Sequence, residues 1–218
     1  MSFLDLIPHK RFILSNILLF NKRFTFNKQK LSYFLNPYNA SFANERAVEV
    51  SIIKNEIDKA KTLNKDILEI GNVLSHYLTI NHTVVDKYEK DDEVINEDAL
   101  TYNPSKKFDL IVAISTFEHI GYDEKIKDPQ KIIKVINHLK TLLKRKGKLI
   151  FTVPISYNKI LNKQILKNEL PINKSIYLIR NSKINTWEET KLVKALKQKY
   201  NTPYPNANAI MIGFVNKD

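Results

Sequence analysis

Two rhythms of hydrophobic and polar residues run through this chain. Val50, Ile53, Ile57 and Ala60 recur at helical spacing, while Lys54, Glu56, Asp58 and Lys59 lie mostly off that face, which predicts a helix starting near Ala43. The apolar run Ile67–Ile70 predicts a strand, followed by a short helix through about Leu78. A second strand is expected over Thr83–Asp86, then a polar loop and a weak third strand at Val94-Ile95. Phe108–Ile114 is a near-continuous apolar run, as expected of a central parallel strand covered on both faces. Asp128 and Pro129 suit the cap and first position of the next helix. Its buried stripe would be Ile132, Ile133, Ile136, Leu139 and Leu143, with Gly147 as its stop. Lys148–Val153 returns as a strand ending at Pro154. Ile176–Ile179 reads as a strand, and Ala209–Val215 as the last one. Between them, Thr186 and Glu189 form a capping box for a helix carrying Leu192, Val193 and Leu196.

Strands alternating with helices imply a parallel sheet with helices on both faces. No repeat and no linker interrupts the pattern, so residues 43–218 are expected to form one domain. Residues 1–42 form a basic, aromatic extension without a strong period, in which Tyr33, Phe34, Tyr38 and Phe42 alternate with Asn and Lys. Packing against the core is the favoured role for it, ahead of a lid or a partner-binding arm.

Composition narrows the chemistry. With 218 residues and 43% hydrophobic content the chain can bury a full core. There is no cysteine, which excludes disulfides, thiolate metal sites and cysteine nucleophiles. The apolar stretch Phe12–Phe20 falls well short of the roughly 20 residues that span a bilayer, and no signal-peptide cleavage pattern follows it. A soluble, cytoplasmic protein is therefore expected. The net charge of +12 comes from lysines scattered along the chain, which reads as a solvated basic surface, and nucleic acid is not an expected partner.

In sheets of this kind ligands bind beyond the carboxyl ends of the strands. The residues there are Gly71 and Asn72, Asp86 and Lys87, Asp98, Ser115 through His119, and Pro154 through Tyr157. A strand ending at a glycine, then a second strand ending in an acid, is a nucleoside-gripping arrangement, but an ordinary strand-end turn gives the same pattern. Val73 and Ser75 stand where a dinucleotide loop would carry further glycines for a pyrophosphate. S-adenosylmethionine has no phosphate and needs only one tight turn, which Gly71 can supply, and a carboxylate for its ribose, which Asp86 can supply.

Leu68-Glu69-Ile70-Gly71, Asp86, the Asp98-Ala99 pair and Phe108–Val112 followed by Phe117-Glu118-His119-Ile120 together resemble a class I S-adenosylmethionine-dependent methyltransferase. Leu142-Leu143 with Lys146–Ile150 is similar to the family's passage into its fifth strand, and the resemblance covers about residues 45–155. The segments Asn44–Glu49, Gly71–Tyr77, Val85–Glu89 and Ser115–Glu124 resemble a little-characterised branch of that superfamily. The resemblance implies a Rossmann-like three-layer αβα sandwich whose mostly parallel sheet has seven strands, the last antiparallel. It also implies that Glu69, Gly71 and Asn72 line the methionine side of the cofactor. Asp86, with Lys87 beside it, would take the ribose, Asp98 and Ala99 the adenine, and Ser115 and Thr116 would close the pocket.

Methyl transfer from a sulfonium asks mainly for alignment and exclusion of water. A hydroxyl acceptor also needs a base, for which His119 is the candidate, with Glu118 in reserve or orienting it. No metal is expected: His76, Asp86, Glu118, His119, Asp123 and Glu124 match no ligand spacing. The expected acceptor is a small or medium-sized molecule, including glycan- or lipid-like ones, and Tyr33, Tyr38, Phe42, Ser156 and Tyr157 are candidates to select it. Two rivals remain. One is a nicotinamide enzyme with Lys87 on a 2′-phosphate; the other is a non-catalytic binding protein whose basic N-terminal arm docks a partner or an anionic surface.

Overall fold

The computed structural model describes residues 6–218, with side chains from Phe12 onward. The extension is more regular than its sequence suggests. Helix α1 spans Leu6–Leu19. The strands β1 (Arg23–Phe26) and β2 (Gln29–Ser32) form an antiparallel hairpin. Its two turn residues, Asn27 and Lys28, have φ of 48° and 67°, the left-handed pair that suits the twist of a two-residue hairpin. Helix α2 spans Arg46–Lys61.

The remaining strands are β3 (Ile67–Ile70), β4 (Thr83–Val85), β5 (Val94–Ile95), β6 (Phe108–Ile114), β7 (Leu143–Pro154), β8 (Lys174–Arg180), β9 (Trp187–Thr190) and β10 (Ala209–Asn216). Helix α3 (Lys131–Leu142) precedes β7, α4 (Lys159–Leu166) follows it, and α5 (Leu192–Leu196) follows β9. The sheet has the order β5-β4-β3-β6-β7-β10-β8-β9. Parallel pairing joins β5 to β4, β4 to β3, β3 to β6 and β6 to β7. Strand β10 runs antiparallel to β7: Ile155 N–H donates to the carbonyl of Ala209 at one end, and Lys146 N–H to that of Lys217 at the other. Consecutive residues of β3 and β6 are buried, so both faces of the sheet are covered. This is the Rossmann-like α/β fold with a last antiparallel strand.

Eight strands stand where seven were expected. The extra one is β9, paired antiparallel with β8 from Arg180–Trp187 to Tyr177–Thr190. The expected capping box at Thr186 and Glu189 is absent, because Trp187 is buried and the following backbone is committed to that pairing. Gly147 does not end a helix either: α3 stops at Leu142 and Gly147 lies inside β7, at the register shift opposite Phe108–Leu110. A Cβ there would come 2.8 Å from the Lys144 carbonyl oxygen and 3.0 Å from that of Phe108. The turn after β3 is a single 3-10 turn, Leu74–His76, rather than a helix reaching Leu78.

The chain divides into two compact units. The first comprises the described residues up to Ile52 together with Pro154–Ser156 and Ile176–Ile210. Its interior holds Phe24, Phe26, Tyr33, Phe42 and Trp187, with the Tyr33 hydroxyl accepting from the Trp187 amide at 2.9 Å. The second comprises Ile53–Val153, Tyr157–Ser175 and Met211–Asp218, and contains β3 through β6 and helices α3 and α4.

Candidate functional site

Beyond the carboxyl ends of β3, β4 and β6, the second unit brings the sequence-derived candidates into three groups. The first surrounds the turn after β3. Gly71 has φ of +84°, and a Cβ on it would lie 2.2 Å from the Thr116 Oγ1 and 2.9 Å from its Cγ2, so only glycine allows the turns after β3 and β6 to meet. Glu69 is fully buried on β3. Its Oε1 accepts from the amides of Val73 at 3.1 Å and Leu74 at 2.9 Å, and its Oε2 lies 2.8 Å from His82 Nε2. Asp86 follows β4 directly. Its Oδ2 accepts from the Asn72 amide at 3.0 Å and its Oδ1 from the amides of Tyr88 and Glu89 at 2.8 Å each. Asn72 donates to Glu89 Oε1 at 2.9 Å and accepts from the Ser75 hydroxyl at 2.5 Å. These bonds shape the loop that would face a nucleoside.

The second group is a four-residue ion cluster. Asp98 Oδ2 lies 2.6 Å from Lys131 Nζ and 2.9 Å from Lys87 Nζ. Glu124 joins the same two ammonium groups at 2.7 and 3.3 Å. Burial pushes the Asp98 carboxyl up, but the bonds from Lys131, the Leu100 amide and Lys87 outweigh it and hold it at about 2. The bond to Asp98 is likewise the main reason that Lys87 titrates above its ordinary value. Ala99 beside it is buried.

The third group follows β6. Ser115 has φ of +40° and its amide donates to the Thr152 carbonyl at 3.0 Å. Thr116 donates to the Ile114 carbonyl at 3.1 Å. The Glu118 side chain is buried, with a carboxylate oxygen 3.5 Å from His119 Nε2. His119 is half exposed, and its Nδ1 lies 2.5 Å from Asp123 Oδ2. The Tyr157 hydroxyl donates to the same Asp123 oxygen at 2.7 Å, and the Tyr157 and His119 rings meet edge-on at 4.9 Å. Burial raises the Asp123 pKa, but the bonds from Tyr157 and His119 prevail, and the carboxyl titrates below its ordinary range.

Of the acceptor candidates, Tyr157 lies in the second unit and joins this group. Tyr33, Tyr38, Phe42 and Ser156 belong to the first unit, where Tyr33 and Phe42 are core residues. Three contributors escaped the sequence reading: His82, Lys131 and Asn158. Asn158 caps α4 by accepting from the amides of Ile160 and Leu161 at 2.9 and 3.0 Å, and donates to the Glu118 carbonyl at 2.8 Å. An asparagine just before an apolar-periodic segment was a visible cap signal. His82 and Lys131 had none, because their partners are distant in sequence. Among the described residues no three His, Asp or Glu side chains converge as a cation site.

No protein-family model matches the chain, and no curated protein matches it. Solved structures do. One is the N-methyltransferase NodS from Bradyrhizobium japonicum WM9 in complex with S-adenosyl-L-homocysteine, at 13% identity and a TM-score of 0.44, covering 82% of this chain and 95% of that one. Another is a S-adenosylmethionine-dependent methyltransferase from Clostridium acetobutylicum ATCC 824, at 15% identity and a TM-score of 0.39, covering 75% and 89%. A third is a possible histamine N-methyltransferase from Thermotoga maritima, at 14% identity and a TM-score of 0.41, covering 77% and 97%. These are loose likenesses of chain path. The functional reading rests on the side chains themselves.

Proposed function

We propose that the second unit binds S-adenosylmethionine beyond β3, β4 and β6 and transfers its methyl group to an O or N atom of a small or medium-sized acceptor. The observation that carries this reading is the turn at Gly71, whose lack of a Cβ lets Thr116 pack against it and which the Asp86 carboxylate braces from β4. The turn fits a phosphate-free nucleoside: it offers one close backbone approach and no further glycine. Asp86 fits the ribose, because its two oxygens offer about four acceptor sites, and the three backbone amides leave one for a hydroxyl. Asn72 and Thr116 flank the position of the methionine end, while Ala99 and the Asp98 cluster border the adenine end.

When bound, the cofactor supplies an electrophilic methyl group on a sulfonium, so the protein's tasks are alignment and proton removal. Asp123 holds Nδ1 of His119 and thereby presents Nε2 as the base for an acceptor hydroxyl. Tyr157 fixes the Asp123 carboxylate in turn, and the buried Glu118 lies 3.5 Å from Nε2 on the other side of the ring.

One observation favours a second reading. Asp98 is already tied into an ion cluster by two lysines and an amide, as suits a methyltransferase-like binding protein with a weakened adenine end. Calorimetry with S-adenosylmethionine, S-adenosylhomocysteine and NADP, on the native chain and Asp86→Ala, separates these readings. Micromolar binding of the adenosyl ligands, lost in the variant, is the expected result. Preference for NADP, or no adenosyl binding by folded protein, overturns the proposal. Binding without turnover across O- and N-acceptors favours the second reading.

A further inference from the structure

Helix α1 turns its apolar residues toward solvent. Its inward arc holds Phe12, which meets Phe42 edge-on at 5.4 Å, and the buried Leu19. Ser15 and Asn16, the polar residues of this stretch, are half-buried beside them. The outward arc carries Ile13, Leu14, Ile17 and Leu18, exposed by 50, 55, 72 and 37%. Phe20, whose amide still donates to the Asn16 carbonyl, extends it and is 73% exposed. At 3.6 residues per turn these five positions cover an arc of about 160°. Single exposed aliphatic residues are ordinary on a protein surface, but a contiguous apolar stripe marks an interaction surface.

The charge around the stripe names the partner. From Leu6 to Asn44 the chain carries six cations, Lys10, Arg11, Lys22, Arg23, Lys28 and Lys30, and no acid. Lys22, Arg23, Lys28 and Lys30 are exposed on the segment that follows the stripe directly. A second copy of the chain would set these cations against the same cations. A nucleic acid would use the charge but not an aliphatic arc. Among the described residues no helix is long and apolar enough to cross a membrane. An apolar arc flanked by Lys and Arg, on a helix that cannot span, fits the interface of an anionic bilayer.

We propose that α1 lies in the plane of an anionic membrane surface. Ile13, Leu14, Ile17 and Phe20 sink into the boundary between headgroups and acyl chains, and Lys22, Arg23, Lys28 and Lys30 meet lipid phosphates. The helix adsorbs reversibly, and its affinity rises with the anionic lipid fraction and falls with salt.

Co-sedimentation of the full chain with vesicles of phosphatidylcholine alone, and with about 30% phosphatidylglycerol added, tests this. Binding to the anionic vesicles at least about tenfold tighter than to the neutral ones, weakened by raised salt, is expected. Ile17→Glu with Phe20→Glu should abolish binding while leaving circular dichroism and thermal unfolding unchanged. Lys22→Glu with Lys30→Glu, which leaves the apolar arc intact, should weaken binding to the anionic vesicles alone. Phe20→Trp should show blue-shifted emission on addition of anionic vesicles, beyond any change in the native chain. Absence of vesicle binding, or undiminished binding by the Ile17/Phe20 variant, overturns the proposal. So does a dimer in light scattering that the Ile17/Phe20 variant dissociates, because the stripe would then belong to a second copy.

Discussion

Glu69 shows how tightly single residues are bound into the candidate site. Both of its oxygens serve the fold: one receives the amides of Val73 and Leu74, and the other faces His82. Removing His82 leaves one buried carboxylate oxygen short of its donor, at a cost of about 1–3 kcal/mol. His82→Ala should therefore lower the unfolding free energy obtained from urea melts by that amount and speed hydrogen exchange at Val73 and Leu74. Unchanged exchange at those two amides would show that Glu69 holds the turn without His82. The His119 group carries a sharper chemical expectation. Asp123→Asn keeps the shape beside Nδ1 but removes the charge that selects the tautomer, so methyl transfer to a hydroxyl acceptor should fall about 10²-fold or more. Binding of S-adenosylhomocysteine should be untouched, and equal loss of both would point to a structural role for Asp123 instead. Gly71 and Asp86 could be read from sequence because each directly ends an apolar run. The pairing of Glu69 with His82, and of Asp98 with Lys131, could not, because only the closed fold sets those residues side by side.

At the scale of elements, legibility follows burial. Strand β6 announces itself because both its faces are covered, leaving no room for polar residues. Strand β9 does not: Trp187-Glu-Glu-Thr190 satisfies a helix cap and a short edge strand equally, and only pairing with β8 decides. The β1–β2 hairpin was hidden because Asn27-Lys28 makes its left-handed turn without a glycine. Helix α1 was hidden because Phe12 and Leu19 on its inner arc add to the apolar residues of the outer one and leave little contrast between its faces. Packing between β7 and β10 leads to a further expectation. A Cβ on Gly213 would lie 2.3 Å from the Phe151 Cζ, inside a ring that is fully buried. Gly213→Ala should cost about 1–3 kcal/mol by overpacking, and Phe151→Leu in the same chain should recover part of it. Denaturant melts of the two single variants and the pair measure this coupling, and strictly additive losses would mean that the strands separate rather than the ring moving.

For the whole molecule, pH acts through opposite levers in the two units. In the first unit Glu45 is buried, with its Oε2 receiving the Ala207 amide at 3.1 Å. Burial chiefly, with repulsion from Glu49, raises its pKa from 4.5 to about 7. A carboxyl whose pKa is higher folded than unfolded holds its proton better in the native state. Its contribution is complete below about 4.5 and is lost as the pH climbs through about 7. The loss is on the order of 3 kcal/mol. In the second unit Asp98 is held at about 2, so its contribution is present above its ordinary 3.8 and fades only as the pH falls toward 2. Asp66, Asp109, Asp123 and Glu124 are lowered too and act in the same direction. Maximal stability is therefore expected in mildly acid solution, with the alkaline decline starting in the first unit. Glu45→Gln keeps an acceptor for the Ala207 amide and carries no charge, so it should melt like the native chain at pH 5 and several degrees higher at pH 8. Thermal melts at both values decide the matter, and a gap of equal size at pH 5 and pH 8 would assign the effect to packing rather than to the buried charge.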